Sequence, residues 1–232
     1  IGLATALFAD RAGRDVEVRE PRRGVIDKAC GEGLMPAALA QLHELGVRLE
    51  GHPLDGIRYV DPSHSVDAPF RAGPGRGVAR TALHAALLDR VTAAGIPVVH
   101  RAVAAVTDRG GHVDVDGTPA GHLVAADGLH STVRRLVGLE APVRSRRRFG
   151  LRCHLSTAPW STYVEVHWAP AGEAYVTPVA ADRVGLAVLT DRRQPLAELR
   201  AGFPTLASRL RAHAPTPARG ARVPDWGVKA VS

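Results

Sequence analysis

The sequence predicts an α/β fold in two parts. One is a parallel-sheet domain of nucleotide-binding type that lacks its opening, and the other is an antiparallel β-rich domain that interrupts and follows it. Helix and strand patterns alternate over residues 2–20 and again over 80–99, which is the rhythm of a parallel sheet with crossover helices. From about Phe149 the apolar residues switch to period two, in LRCHLS, TYVEVHWAP, EAYVTPV and RVGLAVL, separated by Pro and Gly. A chain of 232 residues with 45% hydrophobic composition can bury one large core or two small ones. No repeat period is visible.

The net charge of +7 is almost wholly arginine, because Lys28 and Lys229 are the lysines. The block SRRRF, with Arg146 to Arg148, stands alone and lacks the interleaved aromatics of a single-strand binder, so nucleic acid is not an expected partner. Cys30 and Cys153 form neither a CxxC nor a disulfide ladder, which suits a reducing compartment, and cytoplasm is the expected location. No apolar run reaches spanning length and no leader is visible. His43, His84, His130 and His154 lack HxxxH or HExxH spacing, so no metal site is assigned.

In order, IGLATALFADRAGRDVEVRE reads as an apolar helix with Leu3, Ala6, Leu7 and Ala9, a Gly13 stop, and a strand through Val16 and Val18 ending at Glu20. That is the second half of a βαβ unit, in which a dinucleotide pyrophosphate sits at the helix N-terminus. Gly2 then stands as the last glycine of GxGxxG, and Glu20 as the acid that accepts from ribose hydroxyls. A solvent-facing strand end is the other reading of Glu20. Next, Cys30, Gly31 and Gly33 precede a helix with Leu34, Ala38, Leu42 and Leu45 on one face. Glycines before a helix let backbone amides approach a flat or anionic ligand; an ordinary glycine loop with a small buried cysteine is the alternative.

Residues 54–75 carry Asp-Pro, Ala-Pro and Gly-Pro-Gly turns between short alternating runs, as strands of a side sheet would. A helix from about Arg80 to Ala94 ends at Gly95, and a strand runs through Val98 and Val99. Asp116-Gly117 marks a hairpin. The run Leu123 to Ala126 reads as a buried strand that stops at Asp127-Gly128, and Ser131 opens a helix with Val133, Leu136 and Val137. A last helical stretch, LAELRAGFPTLASRLRAHA, precedes a Pro-rich tail.

The joint order of these pieces, with AADGLHSTVRRLVG close to a GADGxxSxxR motif in which Ala125 replaces glycine, resembles the flavoprotein monooxygenase superfamily typified by para-hydroxybenzoate hydroxylase. The CGEG loop is similar to that of its geranylgeranyl-reductase-like branch. The likeness covers most of the chain. It implies a Rossmann-like FAD-binding domain over 1–53 and 76–142, a substrate domain over 54–75 and 143–222, and a return into the FAD domain from 223 to 232. It implies FAD as cofactor and NAD(P)H as reductant.

The resemblance also assigns residues. Gly2 falls at the FAD pyrophosphate and Glu20 at the adenosine ribose. Cys30, Gly31 and Gly33 fall near the isoalloxazine, Arg80 on the FAD, and Val103 on the adenine side by its backbone. Asp127 and Gly128 organise the backbone near the pyrophosphate, with Ser131 and Arg134 on the dinucleotide side. Trp168, Tyr175 and Pro178 line the substrate pocket or serve as core residues, and both readings stand. No general acid or base can be named.

By resemblance, the function is an FAD-dependent oxidoreductase, first an NAD(P)H-using monooxygenase of a small organic or secondary-metabolite substrate. The alternatives are a geranylgeranyl-reductase-type enzyme that passes hydride to an isolated double bond, or a non-catalytic remnant. With no Met at Ile1 and no second Gly-Asp motif before Ser232, the chain reads as a fragment lacking both ends, expected to bind FAD poorly by itself. Substrate identity and oligomeric state are not readable.

Overall fold

A computed structural model describes residues 1–142, 148–170, 172–191, 202–213 and 229–231. The arginine block before Phe149 falls almost wholly outside these residues, as do the first half of the last helical stretch and most of the tail. The described chain divides into two compact units, one of residues 1–26, 45–47 and 84–145, the other of 27–44, 48–83 and 146–232. The partition expected from sequence differs at the glycine loop. Residues 27–44, 48–53 and 76–83 group with the β-rich unit, where β2, Gly33–Leu34, and β6, Gly75–Gly77, pair.

In the first unit, helix α1, Gly2–Arg11, leads to β1, Val18–Arg19, which pairs in parallel with β7, Val98–Val99. The pairing extends through Glu20, whose amide donates to the Val99 carbonyl at 3.1 Å. α1 ends where Gly13 takes a left-handed φ of 73°, the stop its sequence announces. Ala6 and Leu7 of α1, Leu87 and Val91 of α3 (Arg80–Ala93), and Leu45, Val47 and Ile96 are all buried apolar residues of this unit. Strands β8 (Val106–Asp108), β9 (Val113–Val115) and β10 (Thr118–Ala120) form a meander, turned at Asp116-Gly117 as expected. The short helix α4 is Thr132–Leu136.

One expectation fails in this unit. Leu123 to Ala126 is not a strand, and Val124 is 61% exposed. An apolar run becomes a strand only by pairing its backbone, and no described strand pairs with it. Val103 likewise lies in irregular chain between β7 and β8.

The second unit is built on a seven-stranded sheet in the order β15-β11-β14-β13-β12-β4-β5. Its strands are β4 (Gly56–Val60), β5 (Ser65–Pro69), β11 (Phe149–Leu155), β12 (Tyr163–Ala169), β13 (Gly172–Ala180), β14 (Arg183–Thr190) and β15 (Lys229–Val231). All neighbours are antiparallel except β12 and β4, which run parallel. Residues 229–231 therefore join this sheet through β11.

Period two decides which residues share a face. Leu151, Cys153 and Leu155 of β11, Ala174 and Val176 of β13, and Val184, Leu186 and Val188 of β14 form one apolar face. Helix α5, Pro204–His213, covers it with Leu206 and Leu210, beside Phe203 just before the helix. The opposite face carries Arg152, His154, Gly185, Thr177 and Tyr175. A three-stranded sheet, β2-β6-β3 with β3 His52–Leu54, and helix α2, Pro36–Glu44, complete the unit. Proline at the first position of α2 costs no hydrogen bond, since that amide has no intrahelical acceptor.

Candidate functional site

The expected site residues fall in both units. Gly2, Glu20, Val103, Asp127, Gly128 and Arg134 belong to the first, and Cys30, Gly31, Gly33 and Arg80 to the second.

In the first unit, α1 starts without a side-chain cap and without an acid in its first turn, so neither a capping side chain nor an acid of its own first turn meets its positive dipole end. A Cβ on Gly2 would stand 3.3 Å from Cβ of Ala126, so the bare glycine is what lets the helix start lie against that segment. Both features fit a dinucleotide phosphate. Glu20 fits less directly: Arg22 grips its carboxylate through Nε at 2.7 Å and Nη2 at 2.8 Å. A ribose at Glu20 must displace this solvent-exposed pair, which costs little, about 0–1 kcal/mol.

Asp127 has a local role that its position between strand-like chain and helix only hints at. Its carboxylate accepts from the Ser131 hydroxyl at 2.5 Å and from the Val133 amide at 3.1 Å, while Ser131 Oγ accepts from the Arg134 amide at 2.9 Å. Burial disfavours the charge, but these donors hold the Asp127 carboxyl below its usual range. Gly128 takes φ 92°, a conformation only glycine adopts without strain. The Arg134 guanidinium bonds the Leu129 carbonyl at 2.8 Å. Asp127, Gly128 and Arg134 thus fix the turn itself.

In the second unit the glycine loop is organised by a residue the sequence reasoning passed over. Glu32, between Gly31 and Gly33, is 4% exposed and has φ 59°. A left-handed glutamate persists only when its surroundings over-determine it, and here they do. Its amide donates to Cys30 Sγ at 3.4 Å and its carbonyl accepts from the Val78 amide at 2.8 Å. Its Oε1 accepts from Arg152 Nη1 at 2.5 Å and from the Arg80 amide at 2.8 Å, and its Oε2 lies 2.7 Å from His154 Nε2. Arg152 reaches on to Asp27 through Nη2 at 2.5 Å. The Gly31 carbonyl accepts from Thr177 Oγ1 at 2.7 Å.

A Cβ on Gly31 would meet nothing within 4 Å, so one side of the loop is open to an approaching group. Gly33 is held in the β2–β6 ladder opposite Gly77. Arg80 stands at the start of α3, where its backbone, not its guanidinium, is tied to the loop. The signal that could have found Glu32 was an acid at the centre of a glycine loop, but Arg152 and His154 lie more than a hundred residues away and only the sheet brings them to it.

The three residues expected near substrate separate by face. Pairing of Trp168 with Glu173 and of Tyr175 with Ala187 puts Trp168 and Tyr175 on the face of Arg152 and His154. Pro178 pairs with Val184 and lies on the α5 side instead, because its strand position has the opposite parity. Trp168 is 52% exposed, with its ring 5.5 Å from that of Tyr59. It also lines a cleft of about 160 Å³ with His167, Phe203 and Leu206. Burial and the carboxylate of Glu173, which accepts its hydroxyl, push the Tyr175 phenol up to about 12.

Among the described residues no His, Cys, Asp and Glu side chains gather as a metal-binding group, and no helix is long and apolar enough to cross a membrane. No protein-family model matches the chain. A menaquinone reductase of Mycobacterium tuberculosis is 34% identical over 185 residues, covering 69% of this chain and 44% of that protein. The chain thus spans less than half the length of this curated relative. Among solved structures, a geranylgeranyl bacteriochlorophyll reductase-like protein of Thermoplasma acidophilum matches all of this chain and 63% of its own, with a TM-score of 0.68 and 18% identity. The probable FAD-dependent monooxygenase pqsL of Pseudomonas aeruginosa matches 93% of this chain and 65% of its own, with a TM-score of 0.67 and 22% identity. The chain has the fold of the FAD-dependent monooxygenase and geranylgeranyl-reductase-like flavoproteins, which is the superfamily its sequence resembles.

Proposed function

We propose that this chain, with its flavoprotein fold, belongs to an FAD-dependent oxidoreductase of the reductase type, one that delivers hydride to a carbon–carbon double bond of an apolar, menaquinone-like substrate. The observation that carries this reading is the CGEG loop clamped by Glu32 onto the Arg152–His154 face of the sheet. The relative named menaquinone reductase supports it, being nearer in sequence than the monooxygenase of known structure.

In the first unit, Gly2 and the start of α1 would take phosphate, Glu20 the ribose and Val103 the adenine side, with Asp127, Gly128 and Arg134 holding the adjoining turn. In the second, the backbone of Cys30, Gly31 and Gly33 would face the flavin ring, with Arg80 beside it. FAD supplies the two-electron chemistry when bound; the chain supplies position and a shielded surface. NAD(P)H is the proposed source of electrons, and Trp168 and Tyr175 offer apolar and polar contacts on the same sheet face as His154.

A monooxygenase is the second reading, favoured by the solved monooxygenase that shares the fold. One experiment separates the two. The protein is purified, its FAD measured by absorbance, and the flavin reduced anaerobically with NADH or NADPH. Reoxidation by an isoprenoid quinone with saturation of one double bond, seen by mass spectrometry, supports the reductase. Substrate-dependent oxygen consumption with a product heavier by one oxygen supports the monooxygenase.

A further inference from the structure

The reductase reading leaves a proton unaccounted for: saturating a double bond takes a hydride at one carbon and a proton at the other. We infer that His154 is the group that delivers this proton, oriented by Glu32, and the inference rests on that reading. His154 lies on β11 with Nε2 2.7 Å from Glu32 Oε2. The Glu32 carboxylate already receives the Arg152 guanidinium and the Arg80 amide. As an acceptor at 2.7 Å it calls for hydrogen on Nε2, outweighing the longer 3.3 Å approach of Arg152 Nη1 to the same atom, and Nδ1 is the ring atom left to exchange a proton. Nδ1 has no partner among the described residues. The side chain of His154 is 30% exposed whereas that of Glu32 is 1% exposed. One ring nitrogen is thus anchored in the interior while the ring keeps a solvent-facing part.

This is the arrangement by which a buried carboxylate fixes the tautomer and direction of a working imidazole. Arg152 is shared by two carboxylates, Asp27 and Glu32, so the carboxylate that holds His154 is itself fixed from the other side. On one side of β11 this face continues through Gly185 of β14 to Thr177 of β13, neither of them charged, and on the other side β15 brings Lys229 opposite Arg152.

Two C–H bonds form as the π bond is lost. Bound reduced FAD would supply the hydride and its two electrons, and Nδ1 of the His154 imidazolium would supply the proton. The neutral ring then regains its proton from water.

The test uses the whole protein with FAD and the variants His154→Asn and Glu32→Gln. In His154→Asn, flavin reduction by NAD(P)H is expected to keep its rate while anaerobic reoxidation by an isoprenoid quinone falls about 10²- to 10⁴-fold. Added imidazole is expected to restore part of it. Independently of turnover, ¹⁵N NMR of labelled histidine is expected to show the Nε2–H tautomer for His154 in the wild type and a tautomer mixture in Glu32→Gln. Because Glu32→Gln removes a buried charge, thermal unfolding of each variant is followed alongside. Reoxidation within about threefold of wild type in folded His154→Asn overturns the inference, as does an Nδ1–H tautomer in the wild type. Wild-type protein without flavin turnover overturns the reductase reading and the double-bond step with it, while the tautomer still decides whether Glu32 orients His154.

Discussion

The carboxylate of Glu165 is wholly buried, and its Oε2 lies 3.1 Å from Nε2 of His167, two residues along the same strand. Neighbours at i and i+2 of a strand share a face, and this face is the one α5 covers. Arg209 of α5 reaches down to Glu165, and Arg58 of β4 stands 3.7 Å away. A buried ion pair is costly to break, because the surviving partner is left uncompensated. Glu165→Gln is therefore expected to lower unfolding free energy by about 2–4 kcal/mol, set below the roughly 3–5 kcal/mol of a fully buried broken pair because Arg209 is partly solvated. Urea denaturation measures it, and a loss below about 0.5 kcal/mol would contradict the pairing.

Acid sensitivity follows from the same carboxylate. Burial pushes its pKa up, but the His167 hydrogen bond and the charge of Arg209 outweigh burial and hold it below the ordinary value of 4.5. With the folded value below the unfolded one, the unfolded chain binds the extra proton, so Glu165 stabilises the fold above the unfolded pKa. That contribution is lost as pH falls through the folded value. Stability of the wild type is expected to decline more steeply below about pH 4.5 than that of Glu165→Gln, measured as urea midpoints across that range.

Tyr175 offers a titration readable by ultraviolet absorbance. Its phenol is pushed up to about 12, first by burial and then by donating its hydroxyl to the Glu173 carboxylate, which disfavours a second negative charge there. With three tyrosines in the chain, the tyrosinate signal is expected to show a late component in the wild type. Glu173→Gln removes the charge and the strong acceptor, and should move that component to lower pH. An unchanged curve would count against the Tyr175–Glu173 contact.

Ser131 and Asp127 cap the same short helix from two positions, so their loss is local. Ser131→Ala removes the acceptor for the Arg134 amide and the donor to Asp127, and is expected to cost about 1 kcal/mol. Amide hydrogen exchange at Val133 and Arg134 should accelerate while amides of β13 and β14 keep their protection. Uniform acceleration would mean that α4 is coupled to the whole fold.

The parts legible in sequence are those whose periodicity is local. The Arg80 helix, the Asp116-Gly117 hairpin and the four strand runs after Phe149 need only neighbours within a few residues to declare themselves. What depended on distant pairing was hidden. The segment Gly56–Val60 announced a strand, but its parallel ladder with Tyr163–His167 joins positions more than a hundred residues apart. Leu123–Ala126 had a strand's composition and lacked a paired neighbour. Pro178 looked equivalent to Tyr175 until β14 fixed the register and put them on opposite faces. Glu32 was the largest omission: an acid flanked by glycines reads as solvated loop, and only Arg152 and His154, delivered by β11, turn it into a buried anchor.

Gly185 tests that anchor without removing any charge. It lies on β14 opposite His154, and a Cβ there would come within 2.7 Å of Glu32 Oε2, closer than any comfortable contact. The backbone conformation at Gly185 is not left-handed, so alanine is tolerated by the chain and the clash falls on the carboxylate. Glu32 is held by Arg152 through Oε1 and by His154 through Oε2. The displaced atom is the one bonded to His154, so Gly185→Ala should loosen the His154 contact and spare the Arg152 pair. The expected outcome is a modest loss of stability, about 1–3 kcal/mol as for other overpacked sites, together with a His154 tautomer mixture in ¹⁵N spectra like that of Glu32→Gln. A variant that unfolds at the same urea concentration and keeps the Nε2–H tautomer would mean that the Glu32 carboxylate has room to move, and that its grip on His154 is looser than the 2.7 Å contact implies.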